Sequence, residues 1–451
     1  MLKLIKTSLF KFTRRFALLT AGLFVFSSTA IAKNNDEIIS LSLQELMNIP
    51  LTEHYSQKGI FQSDTNKISE HTINFGILAP ISSFPAYSGE IIAAADLATQ
   101  HINKYGGING KRLVMIRADD EENTPVSAEL AKTLIEQYQA QALFGPATST
   151  SVAYILEQVL SNHSVPLITQ GASAVKLSEL AGDAPFWRMI ANNHQQVEQM
   201  VNHVHNKLNH KKVFVIKGRD IYSQEIGSGI KKLMQMHPDT KVDDLTLSSL
   251  VDIEGMNLSE EVSNIQAQGY TAIIITLANH QMTDILRKIS EHWKGDFPLI
   301  LAADTAKPTY LLNANLGDIY HCTLTYVSTP AELDPEIRNK ITSLLNVDSA
   351  AFDAAYIYDA IVIIAMAKQL ELHYDIDLKA AVNKIAGNGH PISHLDYPDI
   401  VKLYKTHKNF SYSGYSGRVW FNQHGDNIKA IMDIIPLLPL ETTPDCLRPQ
   451  K

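Results

Sequence analysis

Short apolar runs alternate with segments of helical periodicity along most of this sequence, and this alternation constrains the fold more than any other feature. Residues 73–79 are typical of a buried strand, and apolar side chains then repeat at helical spacing at Ile91, Ala95, Ala98 and Ile102. Further strands are predicted at 113–116, 142–144, 166–169, 213–216, 245–247, 272–276 and 299–302, and further helices at 124–139, 150–160, 222–236 and 258–268. The alternation predicts βαβ units with parallel sheets, and its restart at residue 213 predicts two consecutive α/β halves.

Two elements follow the second half. A long apolar helix is predicted at 352–370, and a strand at 418–421 is followed by a turn at Gly425 and Asp426. We expect both elements to return into the earlier halves.

The first 32 residues have the pattern of a cleaved secretory signal. Five cations come first, then an apolar stretch at 16–26, then small residues at 30–32. Removal of five positive and no negative charges takes the formal net charge from −8 to −13. This predicts an acidic protein of an extracytoplasmic, oxidising compartment. Residues 33–71 are polar and poorly periodic, and we interpret them as a leader to the fold.

Composition excludes several function classes. The negative net charge argues against nucleic acid as a partner. Cys322 and Cys446 allow one disulfide at most, and the mobility of chain tails favours their remaining unpaired. The best histidine cluster has spacings of two and five, which do not share one helical face, so no metal site is predicted; it comprises His203, His205 and His210. We interpret the acidic run at 119–122 as a solvated loop ahead of a helix that Thr124 caps.

Two loops follow predicted strands and open helices. Residues 145–151 (GPATSTS) follow one strand, and residues 171–173 (GAS) follow the next. Ligands bind at the carboxyl ends of the strands in open α/β folds. Hydroxyls and free N–H groups at two such ends can converge on one anion such as a carboxylate, and ordinary N-capping is the alternative interpretation. The glycine-rich run at 106–110 lies between a helix and a strand, so it is predicted to be a turn and not a phosphate loop.

Taken in order, these segments resemble the type I periplasmic binding proteins of ABC importers, in their leucine/isoleucine/valine-binding branch. The resemblance covers residues 72 to 435. The segments that carry it are 76–80 (GILAP), 87–89 (YSG), 102–110 (INKYGGING), Asp119-Asp120, Gly145-Pro146-x-x-Ser149, 166–173 (PLITQGAS), Asp220-x-Tyr222, 355–360 (AYIYDA) and 414–426 (GYSGRVWFNQHGD).

The resemblance implies an α/β fold of two Rossmann-like lobes, with a hinge of three crossovers and a ligand cleft between the lobes. Lobe 1 would comprise 72–190 plus 327–412, lobe 2 would comprise 191–326 plus 413–436, and 437–451 would form a tail.

The resemblance also implies a set of ligand-binding residues. Hydroxyls and amides would hold an α-carboxylate, and we expect them at Ser149, Thr150, Gly171, Ala172 and Ser173. Asp304 would pair with the α-ammonium, although the branch usually has a glutamate there. Tyr222 would close over the ligand from lobe 2, and Tyr87 would line the side-chain pocket.

The implied function is capture of an amino acid or related small carboxylate or amide for an ABC-type permease, with neither a cofactor nor a metal. A sensor or docking subunit of the same fold is the alternative. Residues 41–49 (LSLQELMNI) resemble a segment found after the signal peptide of TonB-dependent receptors, which suggests an outer-membrane partner. No set of nucleophile, base and orienting residue is visible, so an enzyme is not predicted.

Overall fold

The computed structural model describes residues 55–57, 59–61, 68–247, 256–277, 279–306, 319–328 and 352–437, together with four single positions, 311, 316, 342 and 343. The predicted signal segment, most of the leader and the tail beyond residue 437 lie outside the described residues.

The first sheet has seven strands in the order β1-β2-β4-β3-β5-β6-β7. From β4 to β7 all neighbours are parallel, whereas β1 and β2 are antiparallel to their neighbours. The strands are β1 (Tyr55–Gln57), β2 (Ile60–Phe61), β3 (Thr72–Ala79), β4 (Arg112–Asp119), β5 (Ala140–Phe144), β6 (Leu167–Thr169) and β7 (Phe186–Arg188). The parallel part confirms the predicted first α/β half.

The second sheet has six strands in the order β16-β12-β11-β10-β8-β9, and only β16 runs antiparallel. A small third sheet has the order β13-β14-β15. The strands are β8 (Lys212–Lys217), β9 (Lys241–Thr246), β10 (Ala272–Thr276), β11 (Leu299–Ala302), β12 (Leu324–Ser328), β13 (His390–Ile392), β14 (Phe410–Gly414), β15 (Gly417–Arg418) and β16 (Asp433–Pro436). The strand predicted at 418–421 is therefore shorter and begins earlier.

Helices cover both faces of both large sheets, because buried parallel strands have two apolar faces to cover. They are α1 (Pro85–Lys104), α2 (Thr124–Glu136), α3 (Ser149–Gln158), α4 (Lys176–Ala181), α5 (Asn193–Val201), α6 (Ile221–Gln235), α7 (Ser259–Ala267), α8 (Asn279–His292), α9 (Ile319–Thr323), α10 (Phe352–Tyr374), α11 (Leu378–Ile385) and α12 (Ile400–Thr406). We call the first sheet with its helices lobe 1 and the second sheet with its helices lobe 2.

Helix α10 returns to lobe 1, as predicted for 352–370. It is apolar on all sides because it lies in one buried cluster with α1, α11 and α12. The predicted stripe on α1 is also confirmed, since Ile91, Ala95, Ala98 and Ile102 are fully buried in that cluster. Among the described residues no helix is long and apolar enough to cross a membrane.

The order of the elements requires three passages between the lobes, after β7, after β12 and before β16. Arg188 lies at the first of these passages and Asp426 at the third. The Nε of Arg188 lies 2.8 Å from Asp426 Oδ1. Arg188 is fully buried and also donates to the carbonyl of Ala174 and to Ser178 Oγ. A buried charge is stable only when it is paired and hydrogen-bonded, so this arrangement fixes the hinge end of lobe 1.

Part of the predicted leader belongs to lobe 1. The β1-β2 hairpin extends the first sheet beyond β4, with Ile60 opposite Ala118 and fully buried. Hydrophobic periodicity missed this hairpin because its two strands have only three and two residues, too few to show a pattern.

The acidic run at 119–122 is only half solvated. Asp119 and Asp120 are 3% and 2% exposed, whereas Glu121 and Glu122 are exposed. Asp119 accepts from the backbone N–H groups of Ser82 and Glu121, which replace water around the carboxylate. The solvated-loop interpretation is therefore wrong for the first two residues. The cap of α2 is Asn123 and not Thr124, one residue earlier than predicted.

Cys322 is disulfide-bonded, and Cys446 is the only other cysteine of the sequence. The expectation of unpaired cysteines is wrong for a physical reason. Strand β16 pairs with β12, which places Pro436 opposite Thr325, three residues after Cys322. Cys446 itself lies outside the described residues.

Candidate functional site

The strand order of lobe 1 creates a crevice between β3 and β5. The chain leaves β3 towards β4 on one side and reaches β5 on the other, and ligands of doubly wound folds bind at such a switch point. Tyr87 follows β3, and the loop to Ser149 follows β5. Gly145 opens that loop with φ +75°, and a Cβ there would lie 2.3 Å from the carbonyl oxygen of Leu78. Only glycine therefore allows the loop to pass so close to the end of β3.

The structure brings the two predicted anion-binding loops together. Ser149, at the start of α3, is 4% exposed, and its Oγ accepts from the backbone N–H of Ala174 at 3.2 Å. A hydroxyl that accepts this bond still has its own proton to donate. The Oγ of Ser173 is fully buried and has no partner among the described residues. Two hydroxyls are thus available as donors at this corner of lobe 1.

Two of the amides expected to hold an anion are already engaged. The N–H groups of Gly171 and Ala172 both donate to Thr169 Oγ1, at 3.3 and 3.0 Å. Thr150 is half-buried in the first turn of α3. The N–H groups of Gly171 and Ala172 are therefore not free to bind an anion in this structure.

Tyr222 and Asp304 meet in lobe 2. Tyr222 lies in the first turn of α6, capped by Asp220, and its hydroxyl donates to Asp304 just beyond β11. Burial, followed by the charge of Asp304, raises the pKa of Tyr222 well above its usual value. The hydroxyl therefore stays protonated and holds one oxygen of a carboxylate that is 6% exposed.

Hydrogen bonds from α5 link the loop of Ser173 in lobe 1 to Tyr222 and Asp304 in lobe 2. The backbone N–H of Asn193 donates to the carbonyl of Ser173 at 2.8 Å, and its side-chain amide reaches the carbonyl of Tyr222 at 3.5 Å. Gln196, also on α5, accepts from the backbone N–H of Asp304 at 3.4 Å. The candidate site residues of the two lobes are therefore linked through α5.

Asn193 and Gln196 were missed by the sequence interpretation. Both are fully buried, and Asn193 Oδ1 and Gln196 Nε2 have no partner in the described structure. Their only sequence signal is an amide-rich helix start at 192–196, which reads as ordinary capping, and Asn192 does form a capping box with Gln195.

Glu225 is a further residue that the sequence did not reveal. From α6 it accepts from the backbone N–H groups of Val175 and Lys176, at 2.7 and 2.9 Å, and from the side-chain amide of Asn193 at 3.0 Å. Val175 belongs to lobe 1, so this carboxylate forms a direct contact between the lobes.

Tyr87 is half-buried on the lobe 1 side of the site. Its hydroxyl accepts from Gln170 Nε2 at 3.2 Å and bonds to Asp353 at the start of α10. Burial, followed by the charge of Asp353, raises the pKa of Tyr87 well above its usual value. Gln170 and Asp353 carried no signal in the sequence, because each is a lone polar residue beside an apolar run.

The predicted absence of a metal site concerns a different part of lobe 2. His205 stacks on His237 with ring centroids 4.0 Å apart, while the ring of His210 bonds to Thr271. Among the described residues no three His, Cys, Asp or Glu side chains are grouped so that they could hold a metal ion.

Sequence comparison finds relatives of this chain among binding proteins. A leucine/isoleucine/valine-binding protein homologue of Brucella melitensis is 28% identical over 171 residues, 38% of this chain and 46% of that protein. A substrate-binding protein of a chemotactic signal transduction system from Halobacterium salinarum is 31% identical over 93 residues, 20% of this chain and 22% of that protein. The chain thus spans less than half the length of these curated relatives.

Among solved structures, the substrate-binding protein of a branched-chain amino acid transporter from Streptococcus pneumoniae, in complex with isoleucine, superposes with a TM-score of 0.62. The match covers 79% of this chain and 93% of that chain at 20% identity, which establishes a shared fold. The family model described as periplasmic binding protein matches residues 72–321. Since this is more than half of the chain, the protein belongs to the periplasmic binding protein family, with the two-lobed type I fold of its leucine/isoleucine/valine-binding members.

Proposed function

We propose that this protein captures a free amino acid, or a related small carboxylate or amide, between its lobes and delivers it to an ABC-type permease. The observation that carries the proposal is the placement of the Ser149 and Ser173 hydroxyls on lobe 1 and the Asp304 carboxylate on lobe 2, with Asn193 bonded to Ser173 and to Tyr222. This polarity is complementary to a zwitterion.

Each end of this arrangement matches one group of an amino acid. The hydroxyls of Ser149 and Ser173 donate to the α-carboxylate. Thr150 lies next to Ser149, and the loop at Gly171 and Ala172 lies under the carboxylate. The oxygens of Asp304 accept from the α-ammonium, and charge-assisted bonds of this kind are about twice as strong as neutral ones.

Ligand contacts to both lobes favour the arrangement in which the lobes are together. Closure is then a population shift about the hinge formed by the three passages. The lobe limits that accompany this proposal are 72–190 plus 327–412, to which the β1-β2 hairpin is added, and 191–326 plus 413–436.

The predicted signal at 1–32 and the family both support a periplasmic protein. A second candidate function, a ligand sensor that reports to an envelope partner, is favoured by the likeness to the substrate-binding protein of a chemotactic system. In that case the part of the 33–71 leader that precedes the β1-β2 hairpin, and includes residues 41–49, is the natural contact with an outer-membrane receptor.

Thermal unfolding tests the proposal. The purified protein is unfolded and refolded without reductant to strip any ligand, then heated with single L-amino acids, short amides and small carboxylates. A ligand at 100 times its dissociation constant adds about 2.7 kcal/mol of stability, which is visible as a rise in melting temperature.

Ser149→Ala and Asp304→Ala should each abolish the rise. Ser161→Ala and Asp183→Ala, at exposed positions away from the site, are the matched controls. If no compound of the panel shifts the melting temperature, amino-acid capture is wrong and the sensor candidate gains. An observed shift that survives both site variants places the ligand elsewhere.

A further inference from the structure

The lobe 1 wall of the site, around Tyr87, is acidic. The Tyr87 hydroxyl donates to Asp353 in the first turn of α10, and the charge of Asp120, directly after β4, acts on the same hydroxyl. Asp353 is 4% exposed and Asp120 is 2% exposed. Two carboxylates are therefore held out of water on the side of the cleft where the ligand's side chain would lie.

A buried acceptor without a partner lies beside them. The single proton of the Tyr87 hydroxyl goes to Asp353, so Gln170 must present its Nε2 donor to Tyr87, and its Oε1 points elsewhere. Gln170 is 1% exposed, and its Oε1 has no partner among the described residues. Buried acceptors are rarely left unpaired in native proteins, so this oxygen marks the place of a missing donor.

The charge of Asp120 is also incompletely balanced. Its carboxylate accepts from the backbone N–H of Glu122 and from Ser127 Oγ, which are neutral groups. Burial raises the pKa of Asp120 to about 6, and the charges of Asp119 and Glu121 raise it further. A buried carboxylate is costly unless a positive charge pairs with it.

We propose that the ligand is an amino acid whose side chain ends in a cation, such as lysine, ornithine or arginine, and that Asp353 is the residue that selects it. The proposal rests on the proposed function and narrows its substrate class. The N–H donors of an ammonium or guanidinium group satisfy Gln170 Oε1, and its positive charge lies beside the carboxylates of Asp353 and Asp120.

An aliphatic side chain fits this wall poorly. Leucine or isoleucine would cover the carboxylates and the Gln170 carbonyl without offering a hydrogen-bond donor. Each of these groups would then be removed from water without forming a new hydrogen bond. Sites built to hydrogen-bond a polar group reject analogues that lack it far more strongly than an apolar pocket rejects a missing methylene group.

The test is a comparison of dissociation constants by calorimetry on refolded, ligand-free protein. The probes are L-lysine, L-ornithine, L-arginine, L-glutamine and L-leucine. We expect at least one basic amino acid to bind about 100-fold more tightly than leucine and more tightly than glutamine. Asp353→Asn keeps an acceptor for Tyr87 but removes the charge, and it should weaken the basic ligand at least tenfold. Asp183→Asn, at an exposed position, is the matched control.

The outcomes separate the two proposals. Leucine or glutamine binding as tightly as the basic amino acids overturns selection of a cation but leaves amino-acid capture standing. Binding of no amino acid overturns both. If Asp353→Asn does not fold, the comparison of ligands on the unaltered protein still decides, and Asp120→Asn should weaken the basic ligand without affecting glutamine.

Discussion

The carboxylate of Glu225 accepts a 2.7 Å hydrogen bond from the backbone N–H of Val175. Glu225 lies on α6 of lobe 2, and Val175 directly precedes α4 of lobe 1, so the bond crosses the cleft. A second bond from the Lys176 N–H, at 2.9 Å, completes a paired contact. The two lobes are thus held together in part by hydrogen bonds within the protein itself.

Glu225→Gln should loosen this contact. The amide retains one acceptor but loses the charge, and bonds to charged groups contribute about 1.5–3 kcal/mol each. We expect a larger radius of gyration for the ligand-free variant in small-angle X-ray scattering. Glu179→Gln, which removes only an exposed pair with Lys176, is the control. Superimposable scattering curves for Glu225→Gln and the unaltered protein would show that the contact does not hold the lobes.

The burial of Asp120 predicts a pH-dependent stability difference. Its pKa is raised from 3.8 to about 6 by burial, so the folded state binds a proton more readily than the unfolded state. The ionised group therefore costs stability above pH 6, and the cost disappears as the pH falls towards 4. Asp120→Asn keeps the acceptor for the Glu122 N–H, and it should raise the free energy of unfolding at pH 7.5 by up to about 3 kcal/mol.

The measurement is urea unfolding of ligand-free Asp120→Asn and unaltered protein from pH 4 to pH 8. The two curves of free energy against pH should meet near pH 4. A constant difference between them would contradict the titration of Asp120.

Asp359 should be essential for the stability of lobe 1. It is fully buried on α10 and accepts from the Tyr412 hydroxyl, the Tyr415 N–H and both the N–H and the hydroxyl of Ser416. Asp359→Ala would leave these donors buried without a partner, at a cost of about 3 kcal/mol or more. Chemical denaturation checks this, with Asp433→Ala at an exposed position as control. A change below about 1 kcal/mol would mean that water replaces the carboxylate.

The disulfide of Cys322 should stabilise the end of lobe 2. It closes a loop of more than 100 residues to the only other cysteine, and such bonds contribute about 2–4 kcal/mol. Reductant should therefore lower the urea midpoint of the unaltered protein. The same reductant should leave Cys446→Ser unchanged, and an equal response in both proteins would assign the effect to something other than the disulfide.

The sequence predicted the repeating core of the fold because buried strands and helices leave periodic patterns. The runs at 272–276 and 299–302 coincide with β10 and β11. Short strands at lobe edges left no such pattern, and β1, β2 and β7 were missed for this reason. Cys322 was misjudged because its pairing depends on β16, a return strand that lies far from β12 in sequence.

The site was predictable only in part. Ser149 and Ser173 lie at strand ends, and the structure brings their loops together, as it does Tyr222 and Asp304. Whether a backbone N–H in these loops is free to bind a ligand was not predictable. The hydroxyl of Thr169, at the end of β6, accepts hydrogen bonds from the N–H groups of Gly171 and Ala172. Asn193 and Glu225 were missed because their partners lie across the cleft, and no local pattern records a contact between lobes.

The β1-β2 hairpin determines where the chain can be shortened safely. A version that begins at residue 72, where the family match begins, would lose Ile60 and turn β4 into a sheet edge. The freed N–H and C=O groups of an edge strand form a template for pairing with another molecule. The short hairpin therefore protects the edge of β4 from pairing with another molecule. A version that begins before residue 55 should stay monodisperse, whereas the version that begins at residue 72 should aggregate.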